Sequence, residues 1–175
     1  MIHVTPLSRL TETLAATGAR HLVTLLRDDS AFVRPETLTA EQHLLLTMHD
    51  IVEERPGMVA PAAAHVESLL AFAQAWDRAA PLAINCYAGI SRSTAAAYIV
   101  AAALAPERAE TEIAARLRAA SPSATPNARL IALADDLLGR QGRMVDAIRG
   151  IGRGCDAFEG EPFSLAIERP AASPF

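Results

Sequence analysis

Ile84-Asn85-Cys86-Tyr87-Ala88-Gly89-Ile90-Ser91-Arg92-Ser93-Thr94 leaves an apolar run, turns through a glycine and enters an alanine-rich stretch. Residues 81–85 read as a short strand and residues 91–104 as a helix, so the turn joins a strand's end to a helix N-terminus. Successive backbone N–H groups in such a turn form an anion-binding nest, and the positive end of the helix dipole adds to it. Gly89 lets the backbone bend where a Cβ would clash. Arg92 offers a planar fork that grips two oxygens of an oxyanion, which lysine could not do. The same field favours a thiolate at Cys86. One short loop therefore supplies both a nucleophile and an oxyanion cradle. A buried small cysteine followed by a surface cation is the plainer reading, but Gly89 and the hydroxyl pair Ser93 and Thr94 argue against it.

Outward from that segment the pattern alternates. Residues 2–5 and 21–26 read as strands, with a helix over 8–16 stopped by Gly18. Residues 28–30 and Arg34-Pro35 mark a loop. Residues 43–48 form another apolar run ending at His49-Asp50, and residues 53–57 are loop-like. Residues 62–76 form a helix with Val66, Leu69, Leu70, Ala73 and Trp76 on one face. Pro106 and Pro126 start further helices, to about residues 119 and 138. Strands alternating with helices early, then helices alone, predict an α/β fold: a small, mostly parallel sheet flanked by helices, with a helical C-terminal half. One catalytic domain is expected over residues 1–158. Residues 159–175, with three prolines, are expected to be an extended or disordered tail.

Cys86-x-x-Gly89-x-x-Arg92-Ser93 resembles the signature loop of the protein tyrosine phosphatase superfamily, and the chain's size is similar to that of its compact dual-specificity members. The likeness covers roughly residues 2–138. It implies a metal-independent phosphatase of bacterial type, with Cys86 attacking phosphorus to form a phosphocysteine. Arg92 and the loop amides of Tyr87, Ala88, Gly89, Ile90 and Ser91 would hold the phosphoryl oxygens, and Ser93 would hydrogen-bond the departing thiolate. The family's general acid is an aspartate on a loop after an upstream strand; Asp50 fits that place, with Glu53 and Glu54 as alternatives. Asn127 resembles an asparagine that braces the signature loop. One departure stands out: the family usually places histidine before the cysteine, and here it is Asn85, which can support the loop but carries no positive charge. The expected substrate is a phosphorylated protein or a small phosphomonoester. Without a base beyond Arg92 in the loop, highly charged inositol lipids fit less well. A phosphate-binding module that has lost catalysis and a rhodanese-like sulfur or arsenate enzyme are the competing readings.

Composition narrows the classes further. The chain has 175 residues, and all 16 of its basic residues are arginine. Lysine-dependent Schiff-base and P-loop nucleotide chemistry are thereby excluded. A net charge of −4 with no arginine run argues against nucleic acid as a partner. No apolar stretch approaches ~18–20 residues without a charge, so no transmembrane helix is expected. The opening Met1-Ile2-His3-Val4-Thr5-Pro6 lacks the features of a secretory signal. Two distant cysteines make no disulfide framework, which points to the cytoplasm. The histidines lack metal-ligand spacing, so neither a metal nor a cofactor is expected. Cys155 reads as an incidental thiol, His49 as a strand-end polar residue that could orient Asp50, and Tyr87 as part of the pocket wall. Arg140, Arg143, Arg149 and Arg153 read as a solvated helix face.

Overall fold

Short runs of leucine and β-branched residues make the strands, and their period of two sorts side chains onto two faces. In the computed structural model, which describes residues 1–27 and 32–167, β1 (Ile2–Pro6), β2 (His21–Leu26), β3 (His43–Thr47) and β4 (Leu82–Cys86) run parallel. A fifth strand, β5 (Phe163–Leu165), pairs antiparallel with β1, giving the order β3-β2-β4-β1-β5. Six α-helices accompany the sheet: α1 (Leu10–Thr17), α2 (Ala63–Ala75), α3 (Arg92–Leu104), α4 (Glu110–Ala120), α5 (Ala128–Leu137) and α6 (Arg143–Ile151). This is the expected α/β fold with a mostly parallel sheet and a helical C-terminal half.

The larger core collects Val4, Val23, Leu25, Ile84 and Cys86 from one sheet face, while Leu22 and Ala83 face α1 with Leu10 and Leu14. Every residue from Arg92 to Ala102 in α3 is buried, as befits a helix apolar nearly all round. Its alanines keep it thin, so neighbouring helices approach closely. Trp76 is buried in this core, its indole N–H donating to Ala80 O at 2.9 Å. The register sets Cys86 between Pro6 on β1 and Leu25 on β2, at the C-terminal end of the central strand. Ligands of open α/β sheets bind at that edge.

Three details differ from the expectations. The helix expected from Pro106 begins at Glu110, because Ala109 is extended and the chain turns at Arg108, whose N–H donates to Ala105 O. Of the expected tail, Phe163–Leu165 is a strand bound to Ile2–Val4; residues 168–175 lie outside the described residues, as do the loop positions 28–30. The arginines near α6 are not one solvated face. Arg140 donates to Glu110 Oε1 at 3.2 Å, Ala102 O at 3.1 Å and Pro106 O at 3.4 Å, stapling α6's approach to α3 and α4. Arg143 adds a bond to Glu110 Oε1 at 3.1 Å, while Arg149 and Arg153 are solvent-exposed.

Burial pushes the Glu110 carboxyl up, but its backbone hydrogen bond and the Arg143 and Arg140 guanidiniums outweigh that and hold it below the usual range. A depressed carboxylate stabilises the fold fully above its unfolded pKa, and the contribution is lost as pH falls through the folded value. Glu110→Gln should therefore lower stability at neutral pH, by about 3 kcal/mol as for a broken buried pair. The deficit should shrink as the wild type is acidified below about pH 4. Thermal unfolding of both proteins across pH checks it; a deficit constant with pH would contradict it.

Candidate active site

Cys86 ends β4 buried, and its Sγ lies 3.1 Å from Ser93 Oγ in the first turn of α3. The loop between them is held from outside by its carbonyls. Tyr87 O accepts from Leu7 N–H at 3.1 Å, Ala88 O from Gly160 N–H at 2.8 Å and Ile90 O from Thr125 N–H at 2.9 Å. Ser91 O accepts from Asn127 N–H at 3.3 Å and from Ala95 N–H at 3.0 Å, and the Thr94 hydroxyl donates back to Ile90 O and Ser91 O. Gly89 has φ of +70°, and a Cβ there would come within 2.8 Å of Pro6 N, so both conformation and space require glycine.

Arg92 opens α3 and is only 7% exposed. Its Nη1 donates to Met48 O at 2.7 Å, fixing the guanidinium against the end of β3. Its Nε is buried with no hydrogen-bond partner among the described residues. Such a group is costly unless something pairs with it. Asp50 stands beside it, with Oδ2 4.0 Å from Arg92 Nε. The other carboxylate oxygen, Oδ1, accepts from Ser91 Oγ and from Asn127 Nδ2, each at 2.8 Å. The expected candidates Cys86, Arg92, Ser93, Ser91, Asp50 and Asn127 thus meet in one place. Tyr87, 65% exposed, lines a cavity of about 430 Å³ with Leu26, Arg27 and Arg92.

Solved structures share this architecture. DUSP15 matches with a TM-score of 0.59 over 86% of this chain and 89% of its own, at 15% identity. A mouse putative dual specificity phosphatase complexed with zinc tungstate matches at 0.56, with 21% identity over 79% and 80% of the two chains. Human DUSP28 matches at 0.55, with 19% identity over 80% and 94%. The fold is that of the dual-specificity phosphatases. No family model matches the sequence, and no curated protein does.

Within this dual-specificity phosphatase fold, two expected supports of the loop take other positions. Asn127 meets the loop through its backbone N–H; its side chain caps α5, accepting from Leu130 N–H at 3.1 Å, and binds Asp50. Asn85 is fully buried but points away from the loop, because alternation along β4 sends it to the face opposite Cys86. Its Oδ1 accepts from the Thr24 hydroxyl at 2.8 Å, and Thr24 in turn meets His43 Nε2 at 3.0 Å. Burial and nearby Arg34 hold His43 below the usual histidine range. His49 closes the neck of the Asp50 loop: its N–H donates to Val59 O and its Nδ1 accepts from Val59 N–H. Glu54 pairs with Arg129 at 2.8 Å, and Glu53 is exposed. Cys155 is an exposed free thiol.

Sequence reading missed Thr24, Gly160 and Arg129 at this site. Thr24 and Gly160 carry no local signal, since their partners lie 61 residues away at Asn85 and far back along the chain at Ala88. Arg129, two positions past Asn127, was open to notice.

Proposed function

We propose that the chain is a cysteine-dependent phosphomonoester hydrolase working through a phosphocysteine. The observation that carries this reading is the buried Nε of Arg92 beside the Cys86 loop, which has no hydrogen-bond partner among the described residues. An oxyanion is the ligand that would satisfy that N–H together with the positive end of α3. Four loop carbonyls engaged on the outer side free the peptide N–H groups for the inner side. The mouse phosphatase of this fold is complexed with zinc tungstate, and tungstate belongs to the same ligand class.

In the first step the Cys86 thiolate forms an S–P bond as the ester P–O bond breaks. Asp50 gives its proton to the leaving oxygen. With Oδ1 occupied by Ser91 and Asn127, Oδ2 is the oxygen that holds that proton. In the second step water attacks phosphorus, Asp50 takes a proton from it, and the S–P electron pair returns to sulfur. The Ser93 hydroxyl then donates to the thiolate. Asp50 is favoured over Glu54 because it stands against the signature loop, bonded to Ser91 and beside Arg92, whereas Glu54 is paired with Arg129 on α5. The substrate class is a phosphorylated protein side chain or a small phosphomonoester, entering past Tyr87, with the catalytic unit spanning residues 1–158 in a reducing cytoplasm. No helix among the described residues is long and apolar enough to cross a membrane.

Purified protein should hydrolyse an aryl phosphate in the presence of a metal chelator, and orthovanadate, added without chelator, should inhibit competitively. Vanadate binding without hydrolysis would instead select a phosphate-binding module. Sulfur transfer from thiosulfate faster than phosphate release would select the rhodanese-like reading.

A further inference from the structure

The loop carrying Asp50 has little of its own to hold it. Residues 52–59 are all exposed, so no core packing fixes them. Within the loop, Met58 N–H donates to Arg55 O at 3.1 Å, and the His49–Val59 pair closes the neck. Asn127 reaches Asp50 and, at 3.4 Å, Ile51 O. The remaining hold comes from one side chain on α5. Arg129 Nε donates to Pro61 O at 2.7 Å, Nη1 to Val52 O at 3.3 Å and Nη2 to Glu54 Oε1 at 2.8 Å. These three partners lie at the exit, entry and middle of the loop. Arg129 lines, with loop residues including Glu54, Met58 and Pro61, an open cavity of about 430 Å³.

We infer that Arg129 is a positioning residue for the general acid, its guanidinium clasping the loop that presents Asp50 to the leaving group. The argument is geometric. Asn127 caps α5 and Arg129 stands in its first turn, and just before the helix the Thr125 and Asn127 N–H groups donate to Ile90 O and Ser91 O of the signature loop. α5 is therefore a common ruler between the nucleophile's loop and the acid's loop. A planar guanidinium spreads its N–H donors over three nitrogens and so meets two carbonyls and a carboxylate set apart around the loop; the donors of an ammonium all radiate from one nitrogen. Its side chain is 27% exposed but Glu54 is 80% exposed, so the bonds to Pro61 O and Val52 O, more than the ion pair, carry the hold. Misplacing a catalytic group by about 1 Å costs on the order of 10²-fold. Only the steps that use Asp50 should feel it, and kcat/KM reports the first of them, leaving-group departure.

The inference rests on the phosphatase reading with Asp50 as acid, and the experiment separates the two. kcat/KM is measured for phenyl phosphate, whose leaving group needs a proton, and for 2,4-dinitrophenyl phosphate, whose leaving group does not. Asp50→Asn should lower the phenyl value by about 10²-fold and the dinitrophenyl value far less. Arg129→Met should show the same selectivity at about tenfold, and Arg129→Lys should fall between it and wild type. Equal losses on both substrates, tracking a lower Tm, would make Arg129 a structural residue only and overturn the inference. So would wild-type selectivity in Arg129→Met beside a selective loss in Asp50→Asn, with the phosphatase reading intact. A selective loss in Arg129→Met beside none in Asp50→Asn would assign the acid to another carboxylate and overturn both the link to Asp50 and its role. Should Arg129→Met not fold, Arg129→Lys carries the same comparison.

Discussion

Cys86→Ser is expected to remove turnover of an aryl phosphate by about 10⁴-fold or more, the scale on which loss of a catalytic nucleophile is felt. The substitution is nearly isosteric at a buried site, so the loop, its outward carbonyl bonds and Arg92 should stay in place. What changes is the nucleophile. A thiolate attacks without a base, whereas a serine hydroxyl must first lose a proton. The group poised beside Cys86 Sγ is the Ser93 hydroxyl at 3.1 Å, a donor that helps a thiolate and cannot take a proton from an alcohol. Vanadate or phosphate affinity, measured by calorimetry, should survive within a few-fold, because the cradle is built from Arg92 and backbone. Quenched wild-type reactions should show the phosphoryl group on Cys86 by mass spectrometry. Appreciable hydrolysis by Cys86→Ser would sink the covalent mechanism; joint loss of turnover and anion binding would mean that the loop had collapsed.

What was legible beforehand follows from which interactions are local. Strand, turn and helix around Cys86 lie within one stretch of chain, so Gly89's backbone need and Arg92's fork could be read directly. The parallel sheet followed from alternation of strands and helices, each long enough to show its period. Interactions closing over long loops were the ones hidden. β5 is three residues that pair with β1 from the far end of the chain, too short to carry a periodic signal. Gly160's hold on Ala88 O comes with that strand. Arg140 reads as one of several surface arginines, and only the packing of α6 against α4 and α5 brings it, half-buried, onto the corner between α3 and α4. For Asn127, spacing alone does not tell that the side-chain amide turns to Asp50 rather than to the signature loop.

Arg92→Lys is expected to cost about 10³-fold in kcat/KM with little change in fold, and the reason bears on the chain's lack of lysine. All 16 basic residues are arginine, yet Arg149→Lys or Arg153→Lys, both exposed, should be silent within experimental error. Arg92 differs because its guanidinium does two things at once. Nη1 is committed to Met48 O at 2.7 Å, while Nε stays buried without a hydrogen-bond partner among the described residues. A lysine could keep the charge and satisfy either Met48 O or a phosphoryl oxygen, not both. Losing one preorganised donor to transition-state charge costs about 10²–10³-fold, and the remaining ammonium lacks the in-plane second donor. The loss should appear mainly in kcat, since the fork matches the trigonal equatorial oxygens of the transition state better than the tetrahedral ground state. It should also be equal for phenyl and dinitrophenyl phosphates, in contrast to Asp50→Asn, because Arg92 acts on the transferred group and not on the leaving group. A loss below tenfold would show that charge alone suffices at this position, and the oxyanion clamp would no longer explain why Arg92 is buried there.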